Sequence, residues 1–135
     1  MTDLERLGQA VKRLQYRHHR GMDLRLAELG TTLAQWDALR AIDRAPGSSA
    51  RDLAATTFQK EQSFGTLATR LERKGLIERT QGRGRRLQHH LTGEGRRVLQ
   101  AGRPIVVDVL EASLAALSTS RRDDLLSLLL AALDE

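Results

Sequence analysis

Residues 60–91 read KEQSFGTLATRLERKGLIERTQGRGRRLQHHL, and changes of pattern inside this stretch decide the fold. From Lys60 to Gly75, the residues Phe64, Leu67, Ala68 and Leu71 recur at i, i+3, i+4 and i+7. That is the apolar stripe of a helix with one buried side. The other side carries Gln62, Ser63, Gly65, Thr66, Thr69, Arg70 and Arg73, all small or able to hydrogen-bond. Gly75 ends the helix, since glycine adopts a left-handed conformation at little steric cost. Beyond it the alternation has period two, so Leu76–Thr80 and Leu87–Leu91 are expected strands. The tip between them is Gln81-Gly82-Arg83-Gly84-Arg85-Arg86.

A polar-faced helix followed by an arginine-tipped hairpin is the layout of a winged helix-turn-helix, in which the helix reads base edges and the hairpin grips the backbone. Working outward, a long first helix is expected from about residue 3 to Leu29, with Leu4, Leu7, Val11 and Leu14 on one stripe and Gly30 as its stop. Thr32 caps a second helix with Trp36, Leu39 and Ile42 inward, closed by Pro46-Gly47. Ser48 or Ser49 caps a short third helix reaching about Thr56, and a turn from Thr57 to Lys60 leads into the fourth. After the hairpin, Thr92 caps a fifth helix extending to about Leu117, bent or offset near Pro104. Ser118 to Ser120 offer caps for a last helix carrying Leu125, Leu126, Leu129, Leu130 and Leu133.

The expected fold class is therefore mainly α with a small β-hairpin wing: a winged helix-turn-helix flanked by N- and C-terminal dimerisation helices. One domain spans 1–135, with 31–92 as the DNA-binding part and 1–30 and 93–135 as dimerisation helices. Those end helices are too rich in leucine to remain wet, and a second copy of the chain is the simplest cover, so a homodimer is expected.

Composition agrees. Aromatic residues are 3% of the 135, against 40% apolar residues overall, so Leu and Ala do most of the packing, which suits helices. The net charge of +5 favours a polyanionic partner, and its distribution says where. Between Arg79 and Arg103 there are seven arginines and one acid, Glu94, whereas the segment from Pro104 onward is net acidic. The absence of cysteine excludes a disulfide, a thiolate metal site or a thiol switch. The first residues lack an apolar signal core and no apolar run approaches the roughly 20 residues of a membrane span, so the expected setting is cytoplasmic, with no membrane partner.

Candidate contacts follow from side-chain chemistry. Gln62 can bond adenine bidentately, Ser63 and Thr66 can read bases or phosphates, and Gly65 lets the helix sit deeper. Arg70 and Arg73 lie further along the helix, suited to phosphates or to an ion pair with an acid such as Glu72. At the tip Arg85 is the first choice, followed by Arg83 and Arg86, for a narrow minor groove of enhanced negative potential. Ser48, Ser49 and Arg51 are candidates for backbone phosphates, although helix capping explains the serines equally well. The adjacent pairs His18-His19 and His89-His90 have poor spacing for chelating one ion, so neither a metal nor any other cofactor is expected. Tyr16 and His19 with Trp36 are candidates for a ligand pocket between the first two helices, against the simpler reading of Trp36 as core. No nucleophile elbow, phosphate loop or metal signature points to an enzyme. The rival to duplex DNA is a winged helix binding RNA or an acidic protein without operator specificity.

The chain also resembles the MarR family of bacterial transcription regulators over nearly its whole length. The resemblance rests on Leu33-x-x-Trp36-x-x-Leu39, Leu53-Ala54, the run Arg70-Leu71-Glu72-Arg73-Lys74-Gly75-Leu76-Ile77-Glu78-Arg79, and Leu91-Thr92-x-x-Gly95. It implies a two-fold dimer built by the first and last two helices, binding a palindromic operator, and most often repressing a promoter that the operator overlaps. Many relatives release DNA when a small phenolic or other lipophilic ligand binds. Two departures stand out. In the wing, Arg83 occupies the place where the family usually carries an Asp, two residues before the key arginine, here Arg85, on a hairpin about two residues shorter than usual; and with no cysteine in the chain the cysteine-oxidation switch of some relatives is excluded.

Overall fold

A computed structural model describes all 135 residues. Helix α1 spans Leu4–Leu26, started by the Asp3 carboxylate accepting from the Arg6 N–H. A single 3₁₀ turn, Ala27–Leu29, follows, and Gly30 at φ 70° stops it. Helix α2 spans Leu33–Arg44, with the Thr32 hydroxyl accepting from the Gln35 N–H. Helices α3 (Ala50–Thr56) and α4 (Glu61–Arg73) form the helix-turn-helix, and Ser49 is the residue that caps α3. Strands β1 (Ile77–Gln81) and β2 (Leu87–Leu91) pair antiparallel, with Ile77 opposite Leu91 and Gln81 opposite Leu87. Helix α5 spans Gly93–Ser113, capped by Thr92, and α6 spans Thr119–Ala132, capped by Ser118.

Two boundaries stand apart from the sequence expectation. The wing tip is one residue shorter at its start, because Gln81 joins the ladder and its amide donates to the Gly84 carbonyl at 2.8 Å. Helix α5 stops at Ser113 rather than near Leu117. There Arg17 of α1 reaches across and donates to both the hydroxyl and the carbonyl of Ser113, satisfying an oxygen at the helix end. Pro104 sits inside α5 without ending it.

The core gathers around Leu39 and Ile42 of α2, Leu53 of α3, Phe64 and Leu71 of α4, Ile77 of β1 and Leu99 of α5, each fully buried. Leu26 closes it from the end of α1. Two glycines set how closely α5 approaches. A Cβ on Gly95 would collide with the Leu76 carbonyl, and one on Gly102 would collide with the Trp36 indole. Only glycine lets α5 sit this close at those points. The Trp36 indole N–H donates to the Leu99 carbonyl at 3.1 Å, so this side chain, 4% exposed, bolts α2 to α5.

The ends contrast with this centre. Leu4, Leu7 and Val11 of α1 are exposed, as are Leu126, Leu128, Leu129, Leu130 and Leu133, and α6 has no buried residue. No helix is long and apolar enough to cross a membrane.

Candidate nucleic-acid interface

The polar face of α4 forms as the apolar stripe requires. Phe64, Ala68 and Leu71 are buried, and Gln62, Ser63, Thr66, Arg70 and Arg73 point to solvent. The Gln62, Ser63, Arg70 and Arg73 side chains have no protein partner, whereas the Thr66 hydroxyl donates back to the Gln62 carbonyl at 3.3 Å and keeps its lone pairs free. Arg70 lies about 12 Å further along the axis than Gln62, at 1.5 Å rise per residue, so the two cannot meet the same base pair.

Thr69 behaves differently from its neighbours. It is half-buried, donates to the Gly65 carbonyl and accepts from the Arg79 guanidinium at 3.2 Å. It therefore ties the reading helix to the wing root. The same Arg79 pairs with Glu72 at 2.9 Å, and this hydrogen bond holds the Glu72 carboxyl below its ordinary pKa. Glu72 thus serves Arg79 of the strand and leaves Arg70 and Arg73 of its own helix unpaired.

The wing is anchored on its other side by the Pro46-Gly47-Ser48 turn. The Gly47 N–H donates to the His89 carbonyl at 2.9 Å, and the His89 N–H donates to the Ser48 carbonyl at 3.1 Å. This is a short third rung beside β2. The His89 ring is buried, with Nδ1 2.9 Å from the Ser48 carbonyl and an edge-to-face contact with Phe64 at 5.9 Å between centroids. Burial lowers its pKa, the Ser48 carbonyl opposes the shift, and the neighbouring Arg79 lowers it further. A neutral imidazole donating from Nδ1 fits this site.

These anchors bring three basic segments together. Ser49, Arg51, Glu61, Arg79, Arg85 and Arg86 line one cleft of about 390 Å³ between the starts of α3 and α4 and the wing. A second cleft of about 290 Å³ places Ser48 and Ser49 against Arg83 and Arg86. The Arg83, Arg85 and Arg86 side chains are exposed and make no ion pair, so their charges stand free at the tip. The Ser48 hydroxyl donates to the Ala45 carbonyl and the Ser49 hydroxyl caps α3, so both serines also serve the local fold.

Sequence reasoning missed Glu61, Arg79 and His89. The missed signal was strand register: Arg79 stands opposite His89, which points both at the α4 side of the hairpin.

The expected ligand trio is not gathered into one cavity. The Tyr16 hydroxyl is exposed beside Arg20, and His19 pairs with Asp23, whose carboxylate also accepts from the Leu33 N–H. Trp36 is core, as its bond to Leu99 requires. None of the five principal cavities is lined by these three residues. The histidine pairs are likewise split between α1 and β2.

The MarR family model matches residues 29–87, from the end of the first helical segment through the wing tip. The fold as a whole superposes on solved MarR structures. The chain is thus similar to MarR family proteins, by the family model over residues 29–87 and by fold over nearly its whole length. A MarR family protein of Mycobacterium tuberculosis, solved with salicylic acid, is 26% identical, with 91% of this chain and 93% of that one covered at a TM-score of 0.77. A probable transcriptional regulator from Pseudomonas aeruginosa is 27% identical, covering 90% and 92% at 0.81. A mutant MarR from E. coli complexed with operator DNA shares the fold at 22% identity, covering 94% and 93% at 0.85. Among curated proteins no match is found.

Proposed function

We propose that this chain is a transcription regulator of the MarR type that binds duplex DNA sequence-specifically as a homodimer, with residues 31–92 as the DNA-binding part and 1–30 and 93–135 as dimerisation helices. The observation that carries this reading is the arginine-lined cleft in which α3, α4 and the wing present Arg51, Arg85 and Arg86 without an internal ion pair. Unpaired guanidinium groups beside the uncharged side chains of Gln62, Ser63 and Thr66 suit phosphate contacts that position the protein and base contacts that specify the site. Gln62, Ser63, Gly65 and Thr66 supply the reading face, Arg70 and Arg73 the backbone contacts beyond it, and Ser48, Ser49 and Arg51 the contacts at the start of α3. Thr69 acts through Arg79.

Dimerisation is supported by the exposed leucines at both ends. A two-fold dimer presents two wings, so the operator is a palindrome with half-site centres about one helical turn, roughly 10 bp, apart. Binding over a promoter represses it. Release by a small lipophilic ligand is part of this proposal, supported by the M. tuberculosis relative solved with salicylic acid and by the Bordetella bronchiseptica protein whose structure concerns regulation of its DNA binding by 6-hydroxynicotinic acid.

The test is selection of bound sequences from random duplex DNA together with sedimentation of the free protein. A dimer enriching a palindrome is expected, and a monomer enriching nothing would overturn the reading. Arg85→Ala should weaken binding to all duplexes and flatten its salt dependence. Gln62→Ala should change preference at one position per half-site.

A further inference from the structure

The cleft between α3, α4 and the wing contains one acid. Glu61, the first residue of α4, is exposed and lines the same cleft as Arg51, Arg79, Arg85 and Arg86. It forms no ion pair with any of them, and Arg79 is instead taken by Glu72. A free carboxylate on a surface that meets a polyanion is repelled by every phosphate, so it weakens binding unless the DNA offers it a hydrogen-bond donor. The major groove offers two, the exocyclic amines of cytosine and adenine. Adenine sets its own N7 acceptor beside that amine, which opposes a carboxylate, while cytosine carries C5–H there, so its amine can be approached from the side away from the guanine acceptors.

We propose that Glu61 is a specificity-determining residue that accepts a hydrogen bond from the cytosine N4 amine at one position of each half-site. This inference rests on the DNA-binding reading above and goes beyond it by naming the base. Glu61 lines the cleft on the wing side of α4 and Gln62, 100° further round the helix, is exposed outside that cleft, so the two side chains leave the helix in different directions. Glu61 discriminates chiefly by exclusion. At cytosine its charge is satisfied, at guanine and thymine it faces acceptors or a methyl group, and at adenine the amine comes with the opposing N7, so it favours the correct site while lowering affinity for DNA in general.

The experiment compares the full-length protein with Glu61→Gln, which keeps the shape and removes the charge. Both are put through selection from random duplexes, then through titration of the selected site and of the same duplex with that C·G pair replaced. The wild-type protein should enrich cytosine at one position per half-site and lose about tenfold in affinity when it is replaced. Glu61→Gln should bind random duplex more tightly and lose the preference at that position alone.

If Glu61→Gln binds all duplexes more tightly but keeps the wild-type preference at every position, the carboxylate is only a general repulsive charge and the proposal fails. If it lowers the melting temperature and leaves both binding measurements unchanged, Glu61 serves the dipole of its own helix and the proposal fails as well. A wild-type protein that enriches no sequence at all overturns the DNA-binding reading itself, an outcome distinct from these two.

Discussion

The centre of this chain and its two ends are built from the same residues to opposite effect. In the centre, leucines meet partners from four elements: Leu39, Leu53, Leu71 and Leu99 are all buried to 2% exposure or less. At the ends, Leu4 is 75% exposed and Leu128 68%, on helices that are as regular as those of the core. Helix formation and burial are therefore separate achievements. The centre completes its own core, while the ends are finished as secondary structure and unfinished as packing. Burying an exposed leucine side chain gains on the order of 1.5–3 kcal/mol, so several of them supply a strong drive toward association.

The sharpest way to break the contrast is at the closest approach in the centre. Gly95→Val would force a branched side chain into the Leu76 carbonyl, which belongs to backbone and cannot move aside cheaply. We expect a loss of about 3 kcal/mol or more, or no folded protein, measured by urea denaturation. A variant as stable as the wild type would show that α5 stands further off than described.

The complementary change at the ends is Leu126→Glu with Leu130→Glu, both exposed on the single chain. The centre should keep its helical circular dichroism while sedimentation shifts from dimer to monomer. A dimer that survives the pair of charges would place the interface elsewhere. Between the two regions stands Trp36. Trp36→Phe keeps most of the packing but removes the hydrogen bond to Leu99, leaving that carbonyl without its indole partner. A stability loss of about 1 kcal/mol is expected from urea midpoints, and no loss would mean that α2 and α5 are held by apolar contact alone.

The smallest effect should be the dependence on pH. His89 has its pKa lowered chiefly by burial, so the folded state favours the neutral ring more than the unfolded state does. Stability from this group is complete above the ordinary imidazole value and declines as pH falls below it toward the folded value. His18, also lowered by burial and by the adjacent Arg17, acts in the same direction. His89→Asn retains a donor for Ser48 and should flatten part of the decline in urea midpoint between pH 7 and pH 5. An unchanged pH profile in that variant would assign the decline to other groups.

Much of the architecture was legible from local pattern. The caps Thr32, Thr92 and Ser118 and the stops Gly30 and Gly75 lie where short-range chemistry demands them, because a cap or a stop involves residues three or four apart. The α3–α4 pair and the wing were legible for the same reason. What was not legible depends on contacts between distant segments. Thr69 matches Thr66 on the sequence face of α4, yet the hairpin folds back and claims it through Arg79. Trp36 is an aromatic residue that local pattern allows either in a pocket or in the core, and the approach of α5 at Gly102 buries it.

The sequence by itself determined the helices, the hairpin and the placing of arginines at the tip, since periodicity, capping and turn chemistry act over a few residues. Only the tertiary structure decided which of those charges are spent and which stay free. Arg79 is neutralised by Glu72 because β1 curls back over α4, and Arg85 and Arg86 project beyond the reach of any acid that pairs with them. Ion pairing falls off within a few ångströms, so the answer lies in how the chain doubles back and not in the order of its residues.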